Sequence, residues 1–309
     1  MQTRKIELES ECDGLKLAGV LVSPDEPPKG ILQISHGMAE HKERYADFQS
    51  YLAERGWASV IHDHRGHGAS VRSAADLGYF YGNGAEAVTE DLHRFTREAK
   101  SLCPGVPLVL FGHSMGSMIV RNYAKKYDSE LAGLIVCGCP SKNAFAGLSV
   151  FFAGVIGAFR GDKYRSGWLN NLAFGSFGKR FEGESPNRWI CANPETVRAY
   201  DGDDLCGFVF TANGFQNLFR IMRNCYSPKG WRVANPELPV LFISGEDDPC
   251  LIDKKHFERA VSFFRARGYA DVRSVLYKGM RHEILNEREN ERVYADVLAF
   301  AEECAEKAL

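Results

Sequence analysis

Leu108-Val-Leu-Phe-Gly-His-Ser-Met-Gly116 is the stretch on which the reading of this 309-residue chain turns. Leu108 to Phe111 is an uninterrupted apolar run, so a strand here must be covered on both faces. A Gly-x-Ser-x-Gly follows at once, and Ile119, Tyr123 and Ala124 then fall at helical spacing. Alone, such a pentapeptide turns up by chance in about one chain in ten of this length. Between a buried strand and a helix it has a purpose. A sharp strand-to-helix turn needs small residues on either side of Ser114, so that the hydroxyl stands clear of the sheet. The helix start also aims backbone N–H groups at that hydroxyl.

The same alternation runs outward in both directions. Ile6–Glu11 and Leu15–Val22 read as strands joined by a turn at Asp13-Gly14, and Ile31–Ile34 and Ala58–Ile61 as two more. Helical spacing lies around Phe48 and Leu52, and again at Val88, Leu92, Phe95 and Ala99. Beyond the central stretch come a strand at Leu134–Cys137 and another at Val240–Ser244. A helix over about 253–267, a strand at Val272–Tyr277 and a closing helix through Val293, Val297 and Phe300 follow. Continuous strands alternating with helices predict a doubly wound, mostly parallel α/β sheet. Between Cys139 and Val240 the rhythm stops for roughly 100 residues, far more than an ordinary connection of 2–6. The expected division is a core of 1–139 and 236–309, with an inserted helical cap, 140–235, after the sixth strand.

A serine hydroxyl is a weak nucleophile until a base takes its proton and an acid orients that base. His282 is the candidate base, because it falls on the loop just after the last predicted strand. The acid belongs on the loop after Val240–Ser244, where Glu246, Asp247 and Asp248 are adjacent; spacing does not choose between Asp247 and Asp248. After Ile31–Ile34 comes Ser35-His-Gly-Met-Ala-Glu-His41, a tight excursion that leaves the Met38 N–H free. With the Met115 N–H it forms the expected oxyanion pair. His62-Asp-His-Arg-Gly-His-Gly68 has the composition of a metal site, yet it spans a strand end and a turn. It reads as a hydrogen-bonded brace, and no metal or organic cofactor is expected.

Taken in order, His-Gly-Met-Ala-Glu-His, Asp-His-Arg-Gly-His-Gly, Gly-His-Ser-Met-Gly and Arg-His-Glu-Ile-Leu-Asn-Glu resemble the monoacylglycerol lipase and lysophospholipase branch of the α/β-hydrolases. That branch is often grouped with serine aminopeptidases. The resemblance covers nearly all of the core and implies an α/β-hydrolase fold with Ser114, Asp248 and His282 as triad. By that resemblance the acid is the third residue after Gly245, which is Asp248. The resemblance also implies Met38 and Met115 as oxyanion residues and a single-chain lipid ester as substrate. One departure is Ser117, where the family usually has a second Gly. The alternatives on the same scaffold are an aminopeptidase, using Asp201, Asp203 and Asp204 for a substrate ammonium, and a short-chain carboxylesterase. A catalytically dead binding protein is the third.

Composition sets the remaining bounds. A formal charge of −2 offers no basic footprint for nucleic acid. Nine scattered cysteines without C-x-x-C suggest reduced thiols and a cytoplasmic location, and the first ten residues lack an apolar leader core. Ala144–Phe159 is apolar except for Ser149 but shorter than a membrane span. Its large face, with Phe145, Phe152 and Phe159, is expected to wall an acyl pocket and to touch a bilayer transiently. Oligomeric state is not legible.

Overall fold

The computed structural model describes residues 1–142 and 146–308. Its strands are β1 (Gln2–Glu9), β2 (Lys16–Ser23), β3 (Ile31–Ser35), β4 (Ala58–His62), β5 (Leu108–His113), β6 (Gly133–Cys137), β7 (Val240–Gly245) and β8 (Val272–Tyr277). They form one sheet in the order β1-β2-β4-β3-β5-β6-β7-β8. β1 pairs antiparallel with β2, and β2 with β4; the pairings from β4 to β8 are all parallel. The continuous runs divide their side chains between two cores. Leu108, Leu110, Leu134, Val136, Val240 and Phe242 enter one, while Val109, Phe111, Ile135, Cys137, Leu241 and Ile243 enter the other. Helices α1 (Ala46–Glu54) and α9 (Asn290–Ala308) cover the second face with Phe48, Leu52, Val293 and Val297. The first face is covered by α2 (Gly84–Leu102), α3 (Met115–Tyr127) and α8 (Lys254–Arg265), through Leu92, Ile119 and Phe257. This is the doubly wound α/β-hydrolase architecture.

β3 leads into α1 on the second face, whereas its neighbour β5 leads into α3 on the first. Such a switch opens a crevice at the carboxyl ends of the two strands, where open α/β sheets place their ligands. Ser35 and Gly112 are paired in register at that edge. The loop after β3, which carries Met38, and Ser114 therefore emerge side by side.

β1 starts at Gln2, earlier than its apolar pattern indicated, and stops at Glu9. It is an edge strand with six of eight residues exposed, so little apolar signal marks its start. The segment between β6 and β7 carries α4 (Ala146–Arg160), α5 (Gly167–Phe174), α6 (Pro194–Asp201) and α7 (Ala212–Cys225), and α7 packs on α3.

The histidine-rich stretch is a brace under the crevice. His36, His62, His64 and His67 are fully buried, and the His64 backbone N–H donates to His36 Nε2 at 2.9 Å. His64 Nε2 and Ser35 Oγ are 2.9 Å apart, and Asp63 accepts from Lys42 Nζ at 2.7 Å. Burial pushes His36 down to about 4, and His62 and His67 to about 3. These rings are neutral packing at ordinary pH.

Candidate active site

The turn after β5 requires its glycines. A Cβ on Gly112 would lie 2.5 Å from the Gly116 carbonyl oxygen, and one on Gly116 only 2.0 Å from that of Ser35. Ser114 itself sits at φ 53°, ψ −114°, a conformation that costs a non-glycine residue of order 1–3 kcal/mol. The turn is held by the Ser114 N–H donating to the Cys137 carbonyl at 2.9 Å, and by Ser117 Oγ donating to the Ser114 carbonyl at 2.6 Å. Ser117 is fully buried, so the residue that departs from the family pattern is small enough for the packing and adds a hydrogen bond.

His282 and Asp248 meet between the loops after β8 and β7. His282 Nδ1 donates to Asp248 Oδ2 at 2.8 Å, and both residues are buried. Asp248 also accepts from Ser244 Oγ at 2.9 Å and from the Cys250 N–H at 2.8 Å. Asp247, one residue earlier, is exposed. Burial alone would raise the Asp248 carboxyl, but adjacent His282 and the two donors outweigh it and hold it below the usual range. Burial likewise opposes charge on His282, yet Asp248, with Glu283 and Glu40, raises it above the ordinary imidazole value. Trp189 covers the ring at 5.1 Å between centroids. His282 Nε2 lies 4.0 Å from Cys250 Sγ, and among the described residues no hydrogen bond joins it to Ser114. Such bonds commonly tighten only when substrate is bound.

A buried charge network ties these pieces together. Glu40 Oε1 accepts from the Gly37 N–H at 2.5 Å and from Tyr45 at 3.0 Å, while Oε2 accepts from Arg44 at 2.7 Å. Arg44 also forks onto Glu283 at 2.8 and 2.6 Å. Burial disfavours the Glu40 carboxylate, but His113 and Arg44 beside it hold it well below its usual value. The loop of Gly37 to Glu40 is thus bolted to the residue after His282. The sequence held a signal for half of this, since Glu40 and Arg44 are four apart; the Glu283 contact had none.

Gly37, Met38, Ser114, Met115 and His282 open on one cavity of about 820 Å³, within the range of small-molecule sites. Its apolar wall includes Phe174, Phe177, Phe208, Phe219 and Met222. Phe152 and Phe159 do not line it, which corrects the expectation from α4. They are 40% and 85% exposed; Phe145 lies outside the described residues. The reason is steric. The small face of α4, with Ser149, Ala153 and Gly157, is the buried one, and Gly157 packs beside Ala212 of α7. The large side chains are consequently turned out. Asp201, Asp203 and Asp204 are also absent from the cavity, and Asp203 instead pairs with His41 at 2.8 Å.

Among the described residues, three or more potential metal-ligating atoms gather within 4.8 Å at His41–Asp203–Cys206 and at Asp248–Cys250–His282. Neither group lies in the histidine-rich stretch.

Fold and site together define an α/β-hydrolase. The sequence profile described as "Serine aminopeptidase, S33" matches residues 26–289, and the chain belongs to that family. It is 26% identical over 297 residues to the monoacylglycerol lipase of Mycolicibacterium smegmatis, covering 93% of each chain. A thermostable carboxyl esterase from Bacillus coagulans superposes with a TM-score of 0.91 at 24% identity, over 99% of both chains. The Saccharomyces cerevisiae monoglyceride lipase in complex with a substrate analogue gives 0.76 at 20% identity, over 99% of this chain and 96% of that one.

Proposed function

We propose that this protein hydrolyses carboxylic esters through an acyl-enzyme, acting on single-chain lipid esters of the monoacylglycerol or lysophospholipid type. The observation that carries the reading is the Asp248–His282 pair beside Ser114 in one cavity with an apolar wall. Residues 140–235 act as the cap that roofs it. In the proposed reaction His282 takes the Ser114 proton as Oγ attacks the ester carbonyl. The Met38 and Met115 N–H groups receive the oxyanion, each typically worth about 3 kcal/mol. His282 then protonates the departing alcohol, and water releases the acid by the same route. Every step uses the chain's own groups and water.

The family's descriptive name raises the aminopeptidase reading, but the cavity does not favour it. Its carboxylates Glu40 and Glu283 are both tied to Arg44. Lys142, Lys179 and Arg188 also line it, which suits an ammonium group poorly.

The exposed face of α4 and α5 supports transient contact with a lipid surface. Leu148, Phe151, Phe159, Trp168 and Leu172 are each more than half exposed, on helices next to the cavity. Among the described residues no helix is long and apolar enough to cross a membrane. All nine cysteines are free and eight are buried, which supports a reducing compartment.

One series of soluble esters of increasing acyl length, kept below their micellar concentration, tests the substrate reading. kcat/KM should climb by at most about fourfold per added carbon until the pocket fills. Met222→Asp should flatten the climb while sparing acetyl esters, whose chains end short of the wall. Phe159→Asp should leave the whole soluble series unchanged and weaken sedimentation with lipid vesicles. A flat wild-type series would refute the acyl pocket.

A further inference from the structure

The oxyanion loop is held from two sides. From the core, Glu40 takes the Gly37 N–H and His64 takes up His36. Those contacts fix the loop before Met38. Immediately after it, Ala39 adopts φ 51°, a left-handed conformation that a residue with a Cβ keeps only where its surroundings impose it. The imposing groups come from the insert. The Ala39 carbonyl accepts from Tyr200 Oη at 2.9 Å and from the Gly207 N–H at 2.9 Å. The Tyr200 ring is capped by the Arg44 guanidinium at 4.9 Å. Two residues further on, His41 is clasped at both ring nitrogens, Nδ1 by Glu43 at 2.7 Å and Nε2 by Asp203 at 2.8 Å.

We propose that the segment 200–207 of the insert is a clamp on residues 39–41, and that Tyr200 and Asp203 are positioning residues that aim the Met38 N–H at the developing oxyanion. The inference rests on the proposed oxyanion role of Met38. It gives the insert a part in the chemical step, beyond roofing the substrate. A strained turn released from its partners relaxes toward an ordinary conformation, and its peptide plane turns with it. An oxyanion donor only slightly misaimed loses much of its worth, because full removal costs 10²–10³ in kcat.

The test uses p-nitrophenyl acetate, whose acyl group is too short to reach the apolar wall, with the full-length protein. Tyr200→Phe deletes one hydroxyl and keeps the ring under Arg44. Asp203→Asn alters a side chain that is absent from the cavity lining and is about one-third exposed. Each variant should lower kcat by about tenfold with KM within twofold. Each should also weaken binding of a trifluoromethyl ketone, which forms a tetrahedral oxyanion adduct with a serine, by the same factor as kcat/KM. A purely structural role would lower the melting temperature without that parallel loss. Unchanged kcat and unchanged ketone affinity in both variants, with folding intact, would overturn the clamp. So would a rise in KM alone, which would make these residues substrate contacts. Failure of the ketone to form an adduct with the wild type would instead refute the serine mechanism beneath it.

Discussion

Ser114→Ala should lower kcat on a short soluble ester by about 10⁶, His282→Ala by a similar factor, and the double variant hardly further. The reason is that the proposed hydroxyl and imidazole act as one device. Without the base the hydroxyl keeps its proton, and without the hydroxyl the base has nothing to activate. What should survive in each variant is the proposed oxyanion donors and the cavity, which still favour the transition state over water. Ser114→Ala leaves the fold intact, whereas His282→Ala strips the buried Asp248 carboxylate of its partner, so the melting temperature of that variant is measured beside its rate. Ser114 is a strained, partly exposed turn residue whose backbone bond to Cys137 does not involve the side chain. Steady-state rates on the three variants decide the matter, and losses that add on a logarithmic scale would break the pairing.

Asp248→Asn should cost about 10³–10⁴ in kcat, while Asp247→Asn costs less than tenfold. Asp248 is buried and bonded to His282, whereas Asp247 faces solvent. The pH profile supplies an independent check. The proposed reaction needs neutral His282, so the rate should fall as pH drops through its pKa. With Asp248 in place that pKa is raised, and the acid limb of kcat/KM should lie above the ordinary imidazole value of about 6.5. An asparagine removes the charge that offsets burial, so the limb should move to lower pH. An unmoved limb, or one displaced upward, would mean that another group sets the base.

The fold was legible where burial leaves a local signature. Leu108–Phe111, Leu134–Cys137 and Val240–Ser244 are continuous because they are covered on both faces, and each is a central parallel strand. The glycines around Ser114 were legible because no Cβ fits at either position. Two other features depend on partners distant in sequence. Asp247 and Asp248 differ only in which of two neighbouring side chains the turn at Pro249 carries inward, and resemblance rather than spacing singled out Asp248. On α4 two faces were visible, a large one and a small one. Hydrophobicity alone assigns the large face to the interior, but close approach to α7 selects the small one. The clasp of Ala39 and His41 by Tyr200 and Asp203 joins segments about 160 residues apart. No periodicity reports such a contact.

The central claim is that Ser114 carries the acyl group. Intact-mass and peptide-level spectrometry of the protein treated with a fluorophosphonate, and of the same protein trapped with a slowly hydrolysed ester, tests it most directly. The account predicts one adduct per chain on the peptide holding Gly112–Gly116, placed on Ser114, and none in Ser114→Ala. An adduct on Cys250, whose thiol lies 4.0 Å from His282 Nε2, would contradict it, as would ester turnover with Ser114 unlabelled.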